Sequence, residues 1–288
     1  MAITAAMVKE LREMTDAGMM ECKKALTEAE GDMEKAVDIL RTRGLAAAAK
    51  KAGRATNEGR ILAKVCSTCG KGAVVEVNCE TDFVAINEKF GAYCDKIATA
   101  VILNNPADVD ALKASEIDGE TVDAVLTDAI HVIGENMQVR RFKFVDPGEN
   151  GALVAYNHMN NKIGVIVAFE VEGIDTAADA FQAYGKNVAM QVAAMPPVAA
   201  NRDAVPADVI DHEMEIYKAQ AAESGKPENI QVKIAEGRME KFYKENCLTE
   251  MVYVKDNDQT IQTYTDATAK ELGGSIKVVD FVRFALGE

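Results

Sequence analysis

The sequence runs to 288 residues with a formal net charge of −14, 48% hydrophobic and 27% charged residues. That length and balance suit two or more globular units with a sizeable core, whereas the acidity excludes a general nucleic-acid binder, which needs a basic surface against phosphate. No apolar run is long enough to span a membrane, and the N-terminal "MAITAAMVKELREM" lacks the apolar stretch of a signal peptide, so the six cysteines are expected as reduced thiols in a cytoplasm.

Charge is unevenly spread. Residues 1–55 hold ten lysines and arginines against nine acids, which makes this segment near neutral and the rest strongly acidic. Within it, Met7, Leu11 and Met14, then Met19, Cys22 and Leu26, then Met33, Ala36, Val37 and Leu40 recur at helical spacing. Thr4 is placed to cap the first helix and Asp32 the third, and Gly44 is expected to end it. A bundle of roughly 40 residues is near the lower limit for independent folding. The stretch "LAAAAKKAGRATNEGR" reads as a helical, partly flexible link to the body.

The body repeats itself. Sliding the sequence by 91 residues lays "KGAVVEVNCETDFVAINEKFGAYCDKIATAVI" over "KIGVIVAFEVEGIDTAADAFQAYGKNVAMQVA" without a gap, with Lys71 on Lys162, Val74 on Val165, Phe90 on Phe181, Tyr93 on Tyr184 and Val101 on Val192. Each copy reads as a β-hairpin followed by a helix, and "GENMQVRRFKF" and "GGSIKVVDFVRF" add one strand to each. The expected fold is therefore α+β: a three-helix bundle (1–45), a linker (46–58), a first subdomain (59–146) and a second (147–288), each a three-stranded antiparallel sheet with helices on one face. The second copy holds an insertion at about 203–246, where Ile210, Met214, Tyr217 and Ala221, and then Ala235, Met239 and Phe242, keep helical spacing on either side of "ESGKPEN". Two antiparallel helices result, either protruding or packed on the body.

Catalytic chemistry is thin. The three histidines, His131, His158 and His212, have no metal-type spacing. "CGKGAV" puts Gly-Lys in a hairpin turn and not at a helix start, where phosphate would be cradled. "CSTC" (Cys66–Cys69) has C-x-x-C spacing, but zinc needs four ligands and no second pair follows. With no nucleophile beside a base, these residues describe a binding protein and not an enzyme.

"CETDFVAINEKF" (79–90) places Asp82 and Phe83 together where a strand ends. On the residues alone, Phe83 reads first as a core residue closing its own subdomain, with Asp82 capping the next helix.

"MVKELREMTDAGMMECKKALTEAEGDMEKAVDILRTRG", "VEVNCETDFVA", "IGENMQVRRF" and "AEGRMEKFYKE", in this order, resemble the elongation factor Ts family of nucleotide exchange factors for the GTPase elongation factor Tu. The resemblance covers the whole chain. It implies a UBA-like N-terminal bundle that docks on the GTPase, and a Thr81-Asp82-Phe83-Val84 turn that enters the GTPase beside its Mg²⁺. It also implies partner contacts at Met19, Met20 and Lys23 of the bundle, where the inward stripe read for Met19, Cys22 and Leu26 turns Met20 and Lys23 outward, and at Ile133, Gly134 and His158; the insertion matches the family's protruding coiled coil. It implies no cofactor, no metal and no direct nucleic acid. The sequence stops at "FVRFALGE", where better-known relatives continue into a C-terminal helical module; a homodimer or the helical hairpin are the two elements that could stand in for it. The alternative from another class is a zinc-stabilised RNA or ribosome binder built on "CSTC"; an enzyme with a carboxylate site is a third.

Overall fold

The computed structural model describes residues 3–15, 17–223 and 225–288; Ser224, in the expected "ESGKPEN" turn, lies outside them. Three helices come first, α1 (Ala5–Thr15), α2 (Met19–Glu28) and α3 (Met33–Lys51). Thr4 and Asp32 cap as expected, accepting from the Met7 and Lys35 amides at 3.3 and 3.1 Å. Leu11, Cys22, Ala25, Leu26, Ala36 and Leu40 close the bundle core, but Met14 and Met19, expected on inward stripes, are exposed. The third helix also differs from expectation. It runs through Gly44 and the alanines that follow as one rod of about 28 Å. Gly44 is buried against Thr127 and His131, and Lys51 Nζ donates to the Ile130 carbonyl at 3.2 Å. The bundle is thus joined to the body by a docked helix where a partly flexible link was expected; alanine's helix propensity outweighs the single glycine.

The first α+β unit comprises β1 (Glu58–Val65), β2 (Gly72–Cys79), the short α4 (Asp82–Ala85), α5 (Glu88–Asn104), α6 (Val109–Ala114), a ribbon of β3 (Glu116–Ile117) and β4 (Glu120–Thr121), α7 (Val122–Ile133) and β5 (Met137–Val145). The second comprises β6 (Gly151–His158), β7 (Ile163–Glu172), α8 (Asp179–Ala194), α9 (Ala207–Ala222), α10 (Glu228–Asn246), a ribbon of β8 (Val252–Tyr253) and β9 (Asp256–Thr260), α11 (Ile261–Leu272) and β10 (Ser275–Ala285). The strand orders are β1-β2-β5 and β6-β7-β10, antiparallel throughout. The α+β class and the two three-stranded sheets are as the sequence led us to expect.

The gapless overlay holds for the helices but slips by one residue in the strands. Phe90 and Phe181 are both fully buried, and Tyr93 and Tyr184 both bond to the helix that precedes the closing strand, through Asp128 of α7 at 2.6 Å and Thr265 of α11 at 2.8 Å. In β2, however, Ala73, Val75, Val77 and Cys79 face the helices, whereas in β7 the helix-facing set is Val165, Val167, Phe169 and Val171. Val74 therefore faces the opposite side from Val165, because a one-residue offset inverts every side chain of a strand. The closing strands do correspond. Each carries a bulge at the same place, Arg140 in β5 and Val279 in β10, and each switches its helix-facing side chains there from Val139 to Phe142 and from Val278 to Phe281.

The two sheets stack back to back with helices outside, giving four layers. Ile61, Ala63, Val74, Leu153, Ile166 and Ala168 form the dry seam between them. Approach is close: a Cβ on Gly164 would lie 2.6 Å from Ile61 Cγ2. Asn157 completes the seam by imitating a peptide unit, accepting from the Ala63 amide at 2.8 Å and donating to its carbonyl at 2.9 Å. One charge lies inside. Glu76 on β2 is fully buried and accepts from Arg140 at 3.0 Å and Arg141 at 2.6 Å. Arg141 also donates to the Ala285 carbonyl at 3.0 Å and stacks on Phe284, so the ion pair ties the sheets together.

The insertion forms the expected pair of helices. α9 and α10 bury Ala221, Ala235, Met239 and Phe242, and they pack on each other and on the 199–205 segment. At its base Arg202 holds Glu240 through two bonds of 2.8 Å, holds Glu250, and stacks on Tyr243.

Arg141→Ala leaves the Glu76 carboxylate with one cation in place of two. It should lower the urea-unfolding free energy by roughly 2–3 kcal/mol, whereas replacing Glu76 and Arg141 together by methionine should cost less. Equal losses in the two variants would show that the buried charge is not what the arginine compensates.

Candidate partner-binding site

The stretch after β2 is built from local rules. Thr81 caps α4, its hydroxyl accepting from the Val84 amide at 3.4 Å, and Asn87 caps α5 through the Lys89 and Phe90 amides. Four residues of helix then divide by face. Ala85 is buried and Val84 half-buried, whereas Phe83 is 78% exposed and Ile86 61% exposed. Phe83 is therefore not a core residue. A large aromatic standing in water does nothing for the fold and has to be explained by something else.

The turn is held from three sides. The Glu135 carboxylate accepts from the Glu80 amide, the Thr81 amide (both 3.0 Å) and the Thr81 hydroxyl (2.6 Å). Glu80 returns the link by accepting from the Asn136 amide at 2.6 Å, which with Arg54 holds its carboxyl below the ordinary range. On the far side, Arg60 donates to the carbonyls of Ala85 and of Asn87, the latter at 3.2 Å. Beneath the turn, the Cys79 thiol donates to the Thr81 carbonyl at 3.2 Å, and burial, with Glu135 nearby, pushes it up to about 12. It stays a neutral donor at every physiological pH. The tip is thus a rigid mount carrying two exposed apolar side chains.

Ile133 and Gly134 precede Glu135 directly. Gly134 ends α7 in the left-handed conformation (φ 91°), which lets the chain turn so that Glu135 and Asn136 reach the mount. The run Ile-Gly-Glu-Asn therefore supports the turn as well as offering a surface. Sequence reasoning stopped at Ile133 and Gly134 and missed Glu135, Asn136, Arg60 and Ile86. The signal for Glu135 was only an acid following a helix-ending glycine.

Ile133, Val84 and Met19 come together. With Arg12, Gly18, Asn87 and Val132 they line an open cleft of about 550 Å³ between the start of α2, the turn and the end of α7. Met19 and Met20 are 59% and 65% exposed, and Lys23 is exposed further along α2. Met20 and Lys23 are outward as expected; Met19 is outward too, against the inward stripe expected for it, because it is the first residue of α2 and the buried stripe begins a turn later with Cys22, Ala25 and Leu26. His158 lies apart from the cleft. It ends β6, with its Nδ1 2.8 Å from Tyr156 Oη, and its turn is stitched to β1 by the Ile61 amide donating to the Asn161 carbonyl at 2.7 Å. Arg60, the neighbour of Ile61, grips the mount, so β1 is the link between them.

Comparison with known proteins decides the family. A family model described as "Elongation factor TS" matches residues 80–288. The chain is 50% identical over its whole length to elongation factor Ts of Trichlorobacter lovleyi, covering 94% of that protein, and 48% identical over 99% of its length to elongation factor Ts of Clostridium tetani, again covering 94%. The chain belongs to the elongation factor Ts family. Membership makes it a nucleotide exchange factor of translation elongation. Among the described residues no three His, Cys, Asp or Glu side chains are placed to share a metal. No helix of the described residues is long and apolar enough to cross a membrane.

Glu135→Ala removes the acceptor shared by two amides and a hydroxyl. Leaving such donors unpaired costs about 1–3 kcal/mol, so hydrogen exchange at the Glu80 and Thr81 amides should rise roughly tenfold to a hundredfold. Unchanged protection would show that the mount is held without it.

Proposed function

We propose that this chain binds elongation factor Tu in the cytoplasm and speeds release of its GDP by pressing the Asp82–Phe83 tip against the surroundings of the GTPase's Mg²⁺. The observation that carries the reading is Phe83, exposed on a mount fixed by Glu135, Glu80 and Arg60. Mg²⁺ tolerates little departure from octahedral coordination, so a small displacement of the groups around it weakens the bound nucleotide. A phenyl ring offers ~150–250 Å² of rigid apolar surface for such a displacement, and Asp82 places a carboxylate beside it. Weakening the metal and phosphate contacts by ~4 kcal/mol on the path to release would accelerate it about a thousandfold.

Met19, Met20 and Lys23 supply a second contact on the bundle. Methionine's flexible thioether adapts to an irregular partner surface, and Lys23 adds a charge at its edge. Val84 and Ile133 join Met19 in the cleft, so part of the partner would seat there; Gly134 and His158 extend the contact along α7 and the β6–β7 turn.

Thermodynamics fixes the rest. An exchange factor cannot choose which nucleotide ends up bound; it must favour the empty partner over either loaded form, and nucleotide must weaken its grip by the factor with which it weakens the nucleotide's. The chain itself carries out no hydrolysis in this scheme.

The test is release of a fluorescent GDP analogue from elongation factor Tu. Wild type should accelerate release by orders of magnitude, and the Asp82→Ala, Phe83→Ala double variant should lose at least about tenfold of that effect, ~1.4 kcal/mol, while still binding. Because Phe83 buries almost nothing in its own chain, the variant's unfolding midpoint should stay within about 0.5 kcal/mol of wild type. No acceleration by wild type would overturn the reading.

A further inference from the structure

The C-x-x-C of the β1–β2 turn has no part in the exchange site, and it is built differently from the other cysteines. Cys22, Cys79, Cys94 and Cys247 are buried; burial pushes the thiols of Cys79 and Cys94 up to about 12 and that of Cys247 up to about 11. Cys66 and Cys69 are at the surface, half-buried and fully exposed. The hairpin closes just behind them, the Cys66 amide donating to the Lys71 carbonyl at 2.8 Å and the Gly70 amide to the Cys66 carbonyl at 2.9 Å. That single helical turn puts positions i and i+3 on one side, where Cβ atoms lie roughly 5–6 Å apart and a disulfide requires little further approach. The Cys66 sulfur accepts from the Cys69 amide at 3.3 Å, and the Thr68 hydroxyl, 3.1 Å away, is able to donate to it once it is ionised. These groups stabilise a thiolate, and hydrogen bonds from the Cys69 thiol first, then from the Thr68 hydroxyl and the Cys69 and Thr68 amides, hold the Cys66 thiol down to about 6. The lysines nearest in sequence are already bonded, Lys71 to Asp146 at 3.0 Å and Lys64 to Asp95 at 2.6 Å, so local hydrogen bonding is what activates the sulfur.

We infer that Cys66 and Cys69 form a reversible dithiol–disulfide site that exchanges with low-molecular-weight disulfides, Cys66 attacking and Cys69 resolving. The Cys66 thiolate attacks one sulfur of a disulfide R–S–S–R, forming Cys66–S–S–R and expelling one thiolate R–S⁻. Cys69 gives its proton to solvent and its sulfur attacks Cys66 Sγ, breaking the mixed disulfide and expelling the second R–S⁻. Two protein thiols are oxidised and one external disulfide is reduced to two thiols. A C-x-x-C turn whose first sulfur is stabilised as the thiolate is the arrangement this exchange needs.

The probe is glutathione disulfide, with reduced glutathione to reverse the reaction, on the full-length chain; remaining thiols are alkylated and located by peptide mass. Wild type should lose both thiols together, giving a chain about 2 Da lighter with no retained glutathione and the link confined to the peptide spanning residues 66 to 69. Cys69→Ser should stop at a glutathione adduct on Cys66. Cys66→Ser should react at least about tenfold more slowly at pH 7, and the wild-type rate should level off above about pH 7, where Cys66 is already ionised. Both thiols surviving in wild type, a wild type that stalls as the mixed adduct, or a Cys66→Ser variant reacting at the wild-type rate would each overturn the assignment.

Discussion

Burial of both faces of β2 is the constraint around which the rest is arranged. One face meets α5 and α7 through Ala73, Val75, Val77 and Cys79; the other meets the second sheet through Val74 and the Glu76 ion pair. Neither sheet could stand alone, since three strands with one helical cover would leave an apolar face in water. Back-to-back stacking covers both at once, at the cost of a carboxylate held away from solvent. Arg141 offsets that cost and reaches across to the backbone and ring at the end of β10.

The turn that carries Phe83 inherits its rigidity from this arrangement. β2 runs out of the doubly covered layer at Cys79, and within a few residues the chain is carrying Phe83 in solvent. The transition is managed by groups anchored in the core: Cys79 from below, Arg60 from the neighbouring strand, and Glu135 and Asn136 from the junction of α7 with β5. An apolar side chain presented on a loose loop would lose rotamer and backbone entropy on every encounter; on this mount most of it is already lost. Mount and tip therefore separate cleanly. The residues that fix the turn belong to stability, whereas Phe83 and Ile86, which project from it, contribute little to the fold.

Much of the fold was legible in the sequence because it obeys periodicity. The bundle, the two hairpins, the aligned Phe90 and Phe181 and the inserted helices are each written as apolar spacing. What failed did so where a local signal met a tertiary one. Gly44 reads as a helix end but lies inside a helix pinned against α7, and Met19 reads as inward although it opens α2, a turn before the buried stripe begins. The strand overlay placed Val74 on Val165 because both are valines, and residue type says nothing of face when both faces are buried. At the site, Phe83 read on its own as core, and only resemblance to the family drew it outward. Glu135 was invisible for a different reason: it acts on residues some 54 positions away, and no spacing rule connects an acid to distant amides.

Because α3 is one rod from the bundle to the body, the distance between Met20 and Phe83 is built in and not sampled. Under the proposed function these are two contact areas at a fixed span, and they would act as a calliper: a partner that fits both gains the second contact at high effective concentration, and one that fits only the first gains nothing from the other. A partner that changes shape when nucleotide returns would break the fit at one jaw while the other is still closed. Departure would then proceed in two weak steps in place of one strong one, and the rod's length would set which shapes of partner are held.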